Sequence, residues 1–447
     1  MSAIPPDHAR SEGEFLDFKP ALDEAAAIAE ANRCLYCYDA PCIKACPTGI
    51  DIPGFIRKIG TGNLKGSAKT ILASNIMGMS CARVCPVEVL CVGACVYNEF
   101  GEQPPIMIGK LQRFATDAAL KEGWRFFPAG KDSGKKVALL GGGPASLACA
   151  HELRRQGHRV TIYEKRDVLG GLNTWGVAPY KLRANDAAAD VDYVMGIGGV
   201  EVKLGVEVGT HISLAELESQ HDAVFIGIGL GPDTRLKTPG EDLPGVIGAV
   251  EWIEKMKLGI VDLAEVQHAI VVGGGNTAID VVRELRGLGV PRVGMLYRGG
   301  EAGMSGYAHE WEAAKIDGAM GLWQMLPIAY EGDGRVERVK VVRVGSDKKP
   351  IPGTEHDLPA ELVLLAVGQS KIGDLVGDLE GITLDKGRIV VGEGGFTGRA
   401  KWWAGGDAAN GGKEVVNAVA EGRDAAISIH KALTMASGFA GGGATNA

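Results

Sequence analysis

One motif, met twice, limits what this chain can fold into. Lys135–Leu147 reads KKVALLGGGPASL and Ala269–Asp280 reads AIVVGGGNTAID. Each is a short apolar run, a glycine triplet and then small residues at helical spacing. Such a run ending in glycine predicts a buried parallel strand, and the whole predicts strand, tight turn and helix. The first glycine permits the turn. The second lets backbone N–H groups approach a pyrophosphate at the helix N-terminus, where the dipole favours negative charge. In the first copy Gly141, Gly143 and Ser146 take the three small positions. The serine predicts a helix set slightly farther from its strand. The next strand, Arg159–Tyr163, ends at Glu164, 23 residues past Gly141, where a carboxylate accepts hydrogen bonds from a ribose. In the second copy Gly273, Gly275 and Ala278 take these positions, and the strand Arg292–Tyr297 ends at Arg298. No acid stands there; the next is Glu301. A glycine turn without a ligand is the alternative for each copy. Two full copies predict two bound dinucleotides.

The chain has 447 residues, room for two or three domains, and its 66 glycines and 46% hydrophobic content suit an α/β protein. A net charge of −8 without a basic run argues against nucleic acid or an anionic membrane as partner. No apolar run approaches a membrane span. The start, MSAIPPDHAR, has no basic segment followed by an apolar core, so no secretion signal is expected. Nine cysteines in that setting point to metal or redox chemistry in the cytoplasm rather than to disulfides.

Eight of the nine form two runs: Cys34, Cys37, Cys42 and Cys46 before Pro47, then Cys81 and Cys85 before Pro86, with Cys91 and Cys95. Zinc is the rival reading, since paired cysteines also make zinc sites. Successive short spacings with a proline directly after one cysteine favour two [4Fe–4S] clusters, in which that cysteine crosses to the other cluster. Around the runs, Pro20–Asn32, Ile52–Ser80 and Ile106–Leu120 have helical patterns, so this region is expected to be mostly α. Phe126–Ser133 reads as a linker. Val200–Val208, Asp222–Gly229 and Ala360–Gly368 read as strands and Lys413–Leu433 as a helix. The Gly170-Gly171-Leu172 stretch predicts backbone passing close to a flavin, with a plain turn as the alternative. Asp407, after Gly405 and Gly406, suits a carboxylate near a flavin ribityl or pyrophosphate. No cysteine follows Cys149, which argues against a disulfide reductase.

In this order, the cysteine runs, GGGPAS, VVGGGNTAID, LLAVGQ and AGGD resemble the reductase portion shared by glutamate synthase small subunits and dihydropyrimidine dehydrogenases, over about residues 14–435. Three details are more similar to the dehydrogenases: Asn75–Cys95 with its extra Cys81, Pro144-Ala145-Ser146, and Ile108–Phe114. The resemblance implies an α/β chain: an all-α iron–sulfur domain, then two Rossmann-like domains, the NAD(P) domain inserted in the FAD domain. The expected boundaries are 1–125 for the clusters, 134–235 with 367–435 for FAD, 236–366 for NAD(P)H, and 436–447 for a flexible tail. It implies that Cys34, Cys37, Cys42 and Cys95 hold one cluster. Cys46, Cys85, Cys91 and the side-chain oxygen of Gln112 would hold the other, with Cys81 and Cys149 as bystanders. It also implies FAD at Val84, Gly141, Gly143, Pro144, Ala145 and Ser146, at Glu164, Lys165, Gly171, Leu172 and Lys181, and at Val208, Gly406, Asp407 and Val415. The nicotinamide nucleotide would meet Gly273, Gly274, Gly275, Asn276, Thr277, Arg298, Ala366 and Gly368. The dehydrogenases continue into an FMN barrel that has no counterpart here. The chain therefore looks like the separate electron-input subunit of a two-subunit bacterial enzyme, in a hetero-oligomer (a heterotetramer) with an FMN/iron–sulfur catalytic subunit. NADH is the expected donor over NADPH, because only Arg298 is basic where NADPH-using relatives carry a cluster of cations.

Overall fold

The computed structural model describes residues 10–371, 373–377 and 379–438. Its N-terminal part is helical: α1 (Glu24–Asn32), α2 (Pro41–Lys44), α3 (Ile52–Gly60), α4 (Leu64–Ser74), α5 (Gly78–Val84), α6 (Tyr97–Phe100) and α7 (Ile108–Lys121). Side-chain caps set three of the starts. Asp23, Asp51 and Asn63 each accept from a backbone N–H three residues on, at 2.8, 3.0 and 2.9 Å. Asp23 explains why the first helix begins at Glu24 and not at Pro20. Phe55, Ile56, Ile71 and Leu111 bury their side chains in a core that continues into Leu147 and Leu153 of the reductase region. The helical unit is thus welded to the first Rossmann layer by one apolar cluster.

That layer is a parallel sheet with strand order β15-β4-β1-β2-β3. Its members are β1 (Lys136–Leu140), β2 (Arg159–Tyr163), β3 (Val200–Lys203), β4 (Ala223–Ile226) and β15 (Trp402–Ala404). β1 in the middle is buried at every residue after Lys136, as the apolar run predicted. A second parallel sheet, order β5-β12-β6-β7-β8, is built from β5 (Val246–Gly248), β6 (His268–Val272), β7 (Arg292–Tyr297), β8 (Met320–Trp323) and β12 (Leu362–Leu365). A separate antiparallel sheet of β9 (Met325–Glu331), β10 (Arg338–Arg343) and β11 (His356–Pro359) packs against it, and β13 (Leu384–Asp385) pairs with β14 (Arg388–Ile389). The chain leaves the first sheet after β4 and returns to it at β15. The outgoing and returning segments pair at Asp233 and Gln369, and Gly231 and Ser370 exchange backbone hydrogen bonds with Ser370 and Pro232, both 2.9 Å. The second unit is therefore inserted in the first.

The strand expected over Val200–Val208 stops at Lys203, because Gly205 adopts φ +68° and turns the chain. The C-terminal helix is Val415–Gly438 instead of Lys413–Leu433, so the first part of the expected tail is helical. Residues 439–447 lie outside the described residues. An N-terminal strap runs across all parts. Phe15 is buried against Gly287, Phe18 N–H donates to the Tyr180 carbonyl (2.8 Å), and Glu12 accepts from Ala184 N–H (2.9 Å). The fully buried Lys257 donates to the carbonyls of Val177 and Leu182 (3.0 and 2.9 Å), and its ammonium stands 3.5 Å from Glu12. Burial, only partly offset by Glu12, pushes this lysine down to about 8.

Helix α8 (Pro144–Arg155), which begins at the first glycine turn, packs on the C-terminal helix at Gly422, where a Cβ would stand 2.0 Å from the Ala145 carbonyl oxygen. Backbone on both sides leaves nothing flexible to yield. Gly422→Ala is expected to lower unfolding stability by about 1–3 kcal/mol and to reduce the FAD retained per purified chain. Urea denaturation and flavin absorbance check this, and an unaltered midpoint with full flavin contradicts it.

Candidate functional site

The carboxyl ends of β1, β2, β4 and β15 open on a cavity of about 650 Å³. Ligands bind at this edge of a parallel sheet. Gly141, after β1, adopts φ +84°, and a Cβ there would meet the Gly227 carbonyl oxygen at 2.7 Å. Gly143 faces open space, so a side chain would project where the backbone must stay bare. Gly143, Pro144 and Ala145 line the cavity at the N-terminus of α8. Glu164 and Lys165 follow β2, and Gly171 and Leu172 close one side. Gly406, Asp407 and Val415 come from the returning chain, and Val84 from the end of α5. Lys181 lines it from the face toward the second sheet. Ser146 and Val208 do not line it. Ser146 is buried beneath β1, its hydroxyl near the Leu140 carbonyl (3.5 Å) and packed where Gly227 has no side chain. Small residues on both sides let the helix lie close despite the serine. Val208 packs with Tyr163 and Ile226 in the core on one face of the sheet.

Glu164 is 6% exposed; it accepts from Gly142 N–H at 2.7 Å and from Arg166 N–H at 2.8 Å, which fixes the carboxylate at the strand end. Asp407 accepts from Lys413 N–H (3.3 Å), and burial pushes its carboxyl up. Lys181 bridges Asp280 and Glu310, both at 2.8 Å. Burial lowers its pKa, but the two carboxylates outweigh that and raise it overall, so it is cationic. Tyr307 O–H donates to Glu414 (2.6 Å) across the same cavity. Asp280 and Tyr307 belong to the second unit, so these contacts brace one nucleotide unit against the other.

The second fingerprint ends β6. Gly273 has φ +148°, and a Cβ would stand 2.3 Å from the Ala366 carbonyl oxygen. Gly274 and Gly275 follow, then Asn276 and Thr277 open the Asn276–Gly287 helix. Asn276 reaches the first cavity and accepts from Tyr307 N–H at 2.9 Å. Arg298 follows β7 and is exposed; Ala366 and Gly368 follow β12. All eight residues therefore share the carboxyl edge of the second sheet. The loop after Arg298 folds back so that Ser305 and Gly306 donate to the Gly274 carbonyl (3.1 and 3.0 Å). Glu301 is held by Lys315 at 2.9 Å.

The cysteines form two groups. Cys34, Cys37, Cys42 and Cys95 line one cavity, and Cys46, Cys81, Cys85, Cys91 and Gln112 line another. Cys149 stands apart, fully buried. Gln112 donates from Nε2 to the Gly78 carbonyl (2.7 Å), which leaves its oxygen as the free end of the amide. Burial and neighbouring thiols push Cys42 up to about 11 and Cys91 up to about 12. As free thiols they stay protonated at neutral pH, and a cation bound beside them would favour the thiolates. Among the described residues no three potential ligands converge on a point that would hold a single ion. The corners of an iron–sulfur cube hold thiolates apart, so the groups fit clusters better than zinc. Cys85 lies between Val84 and Pro86, both in the wall of the flavin-type cavity. Val415 lines that cavity and Val416 the second thiol cavity. Ile52 lines both thiol cavities.

Residues 11–124 match the family model described as dihydropyrimidine dehydrogenase domain II, 4Fe-4S cluster, and residues 135–422 match that of the pyridine nucleotide-disulphide oxidoreductases. The chain belongs to the pyridine nucleotide-disulphide oxidoreductases. Its relatives include the NAD-dependent dihydropyrimidine dehydrogenase subunit PreT of Escherichia coli K12, 34% identical over 94% of this chain and 97% of that one. The glutamate synthase [NADPH] small chain of the same organism is also 34% identical, over 93% of each. Among solved structures, Mycobacterium tuberculosis FprA in complex with NADPH superposes with a TM-score of 0.57 at 22% identity, covering 70% of this chain and 87% of that one. T. acidophilum thioredoxin reductase gives 0.55 at 20%, over 67% and 99%. These two share the fold. The protein is an oxidoreductase with an FAD/NAD(P)-binding reductase fold and an N-terminal 4Fe-4S domain. Residues 135–422 hold one cysteine, Cys149.

Sequence reasoning missed the polar support behind the cavity. Asn173 Nδ2 donates to Ser80 Oγ (2.9 Å), and Ser80 N–H donates to the fully buried Asp190 (2.8 Å). Burial pushes Asp190 up to about 6. A carboxyl raised by folding stabilises the fold below its unfolded pKa, and that stability is lost as pH rises through 6. Asp190→Asn removes this loss. Between about pH 4.5 and 7.5 the variant should gain on the order of 2 kcal/mol relative to the parent. Urea unfolding at several pH values checks it, and parallel stability curves contradict it.

Proposed function

We propose that this chain is the electron-input subunit of an NADH-dependent dihydropyrimidine dehydrogenase. The observation that carries the reading is the contiguity of the sites. Val84, Pro86 and Val415 link the flavin-type cavity to the second thiol group, and Ile52 links that group to the first. When bound, FAD accepts a hydride from the nicotinamide and passes electrons on singly through two [4Fe–4S] clusters. The protein's part is to hold and orient. The turn at Gly141–Gly143 and the start of α8 receive the pyrophosphate, Glu164 the ribose, and Asp407 the ribityl end. Cys34, Cys37, Cys42 and Cys95 hold one cluster; Cys46, Cys85, Cys91 and Gln112 hold the other. Leu35 and Tyr38, 51% and 106% exposed, border the first group and mark the side from which electrons leave. The acceptor is a catalytic subunit with FMN, in a hetero-oligomer, which reduces uracil or thymine to the 5,6-dihydropyrimidine.

Cys81, Gln112 and the Ile108–Phe114 pattern support the pyrimidine enzyme over glutamate synthase. Copurification with the partner, followed by assay of uracil against glutamine plus 2-oxoglutarate, separates the two. Glutamate formation would displace the reading. Alone, the chain should carry about one FAD and eight irons, oxidise NADH with a dye acceptor and leave uracil unreduced. Uracil reduction by the pure chain would refute the two-subunit scheme.

Arg298 is the one cation in the stretch 297–306, and Lys315 nearby is engaged by both Glu301 (2.9 Å) and Glu312 (2.7 Å). A 2′-phosphate would thus lack its usual charge-assisted hydrogen bonds, each worth about 1.5–3 kcal/mol. NADH should exceed NADPH in kcat/KM by at least about tenfold, measured with one dye acceptor; a preference for NADPH contradicts this.

A further inference from the structure

The two thiol groups differ in what surrounds them. The first is walled by apolar side chains such as Leu35, Ile56, Ile106 and Ile108. Its one polar neighbour besides the thiols, the Tyr97 hydroxyl, donates away from them to the Arg33 carbonyl at 2.9 Å. Among the described residues no side-chain donor reaches its four sulfurs, and the nearby Glu30 is paired with Arg33 at 2.8 Å. The second group also has apolar walls, among them Ile50, Val87 and Leu90, but polar side chains stand beside its sulfurs or their backbone. Thr48, 3% exposed, places its hydroxyl 3.2 Å from Cys46 Sγ. Cys81 in α5 lies one turn before Cys85, the residue that caps that helix, and both line the same cavity. Lys19 Nζ donates to the Cys85 carbonyl at 2.6 Å. Arg113 of α7 holds the Lys19 segment in place, donating to Asp17 and to the Lys19 carbonyl, both at 2.5 Å. Backbone N–H groups serve sulfurs in both groups, those of Cys34 and Cys42 in the first and Cys91 in the second.

We propose that Lys19, Thr48 and Cys81 form a donor shell that holds the cluster site of Cys46, Cys85, Cys91 and Gln112 at a higher reduction potential than the site of Cys34, Cys37, Cys42 and Cys95. The proposal rests on the reading of both groups as cluster sites. Reduction of a cluster adds one electron and one negative charge, with no bond made or broken; the electron comes from the nicotinamide by way of the flavin. A hydroxyl or thiol hydrogen aimed at a ligand sulfur, and a cation beside it, stabilise that added charge. A neutral amide in place of a fourth thiolate acts in the same direction. Cys81 is then a positioning and tuning residue, not a spare ligand.

Potentiometric titration of the whole purified chain, followed by electron paramagnetic resonance, tests this. The signal altered by Gln112→Glu identifies the second site. It should titrate at a more positive potential than the other signal. Thr48→Val, Cys81→Ala and Lys19→Met should each move it to more negative potential, with iron, sulfide and FAD content and the other signal unchanged. Thr48→Ser should restore the parent value. A second-site signal at or below the first, or one unmoved by Thr48→Val and Lys19→Met, overturns the proposal. Loss of iron from Cys81→Ala does so as well, by making Cys81 a ligand. Zinc without sulfide in the parent chain would overturn the cluster reading itself, and the shell with it.

Discussion

The close crossing of α8 and the C-terminal helix at Gly422 and the Ala145 carbonyl is the constraint on which the rest depends. It brings the N-terminus of α8, with its unpaired N–H groups, against the helix that carries Val415 and Val416. The first of these faces the flavin-type cavity and the second faces the thiols. No bulkier residue fits at 422, because both surfaces there are backbone. One van der Waals contact therefore sets the spacing between the place for a two-electron cofactor and the place for one-electron cofactors.

Charge is arranged around that contact in layers. Close to the pyrophosphate turn the donors are backbone N–H groups, which carry no counter-charge to be desolvated. Between the nucleotide units, Lys181 with Asp280 and Glu310 and Tyr307 with Glu414 form a polar seam. The side chains of Lys181, Asp280 and Glu310 are mostly shielded from water and satisfy one another, so separating the units would leave charges unpaired in a poor solvent. The N-terminal strap adds Glu12 and Lys257 to the same seam. In the thiol region both groups sit in apolar walls, and the second also stands beside Lys19 and Thr48. Two sites of like composition are thus placed in unlike hydrogen-bonding surroundings.

Local pattern determined a large share of this. The strand–turn–helix units, the buried strands after them and the helical character around the cysteines follow from residue periodicity and from glycine where φ is positive, and these act over a few residues. So the two parallel sheets and the Gly141, Glu164 and Asp407 edge were legible in the sequence, and spacing singled out the cysteines as candidate ligands. The sorting of the cysteines into two groups was not legible from spacing. It depends on Cys95 and Cys46 crossing between the runs, which the packing of α1, α3, α5 and α7 decides. Strand ends were misread where a glycine such as Gly205 turned the chain before the apolar alternation ended. Ser146, read from the motif as a spacer that pushes the helix away, fits closely because Gly227, 81 residues distant, has no side chain. The same holds for Lys19, Thr48, Asn173 and Lys181: each is an ordinary polar residue in its own segment. Each acquires a role only when tertiary packing removes water and supplies a partner from far along the chain, because hydrogen bonds and charges gain weight when the alternative partner, water, is gone.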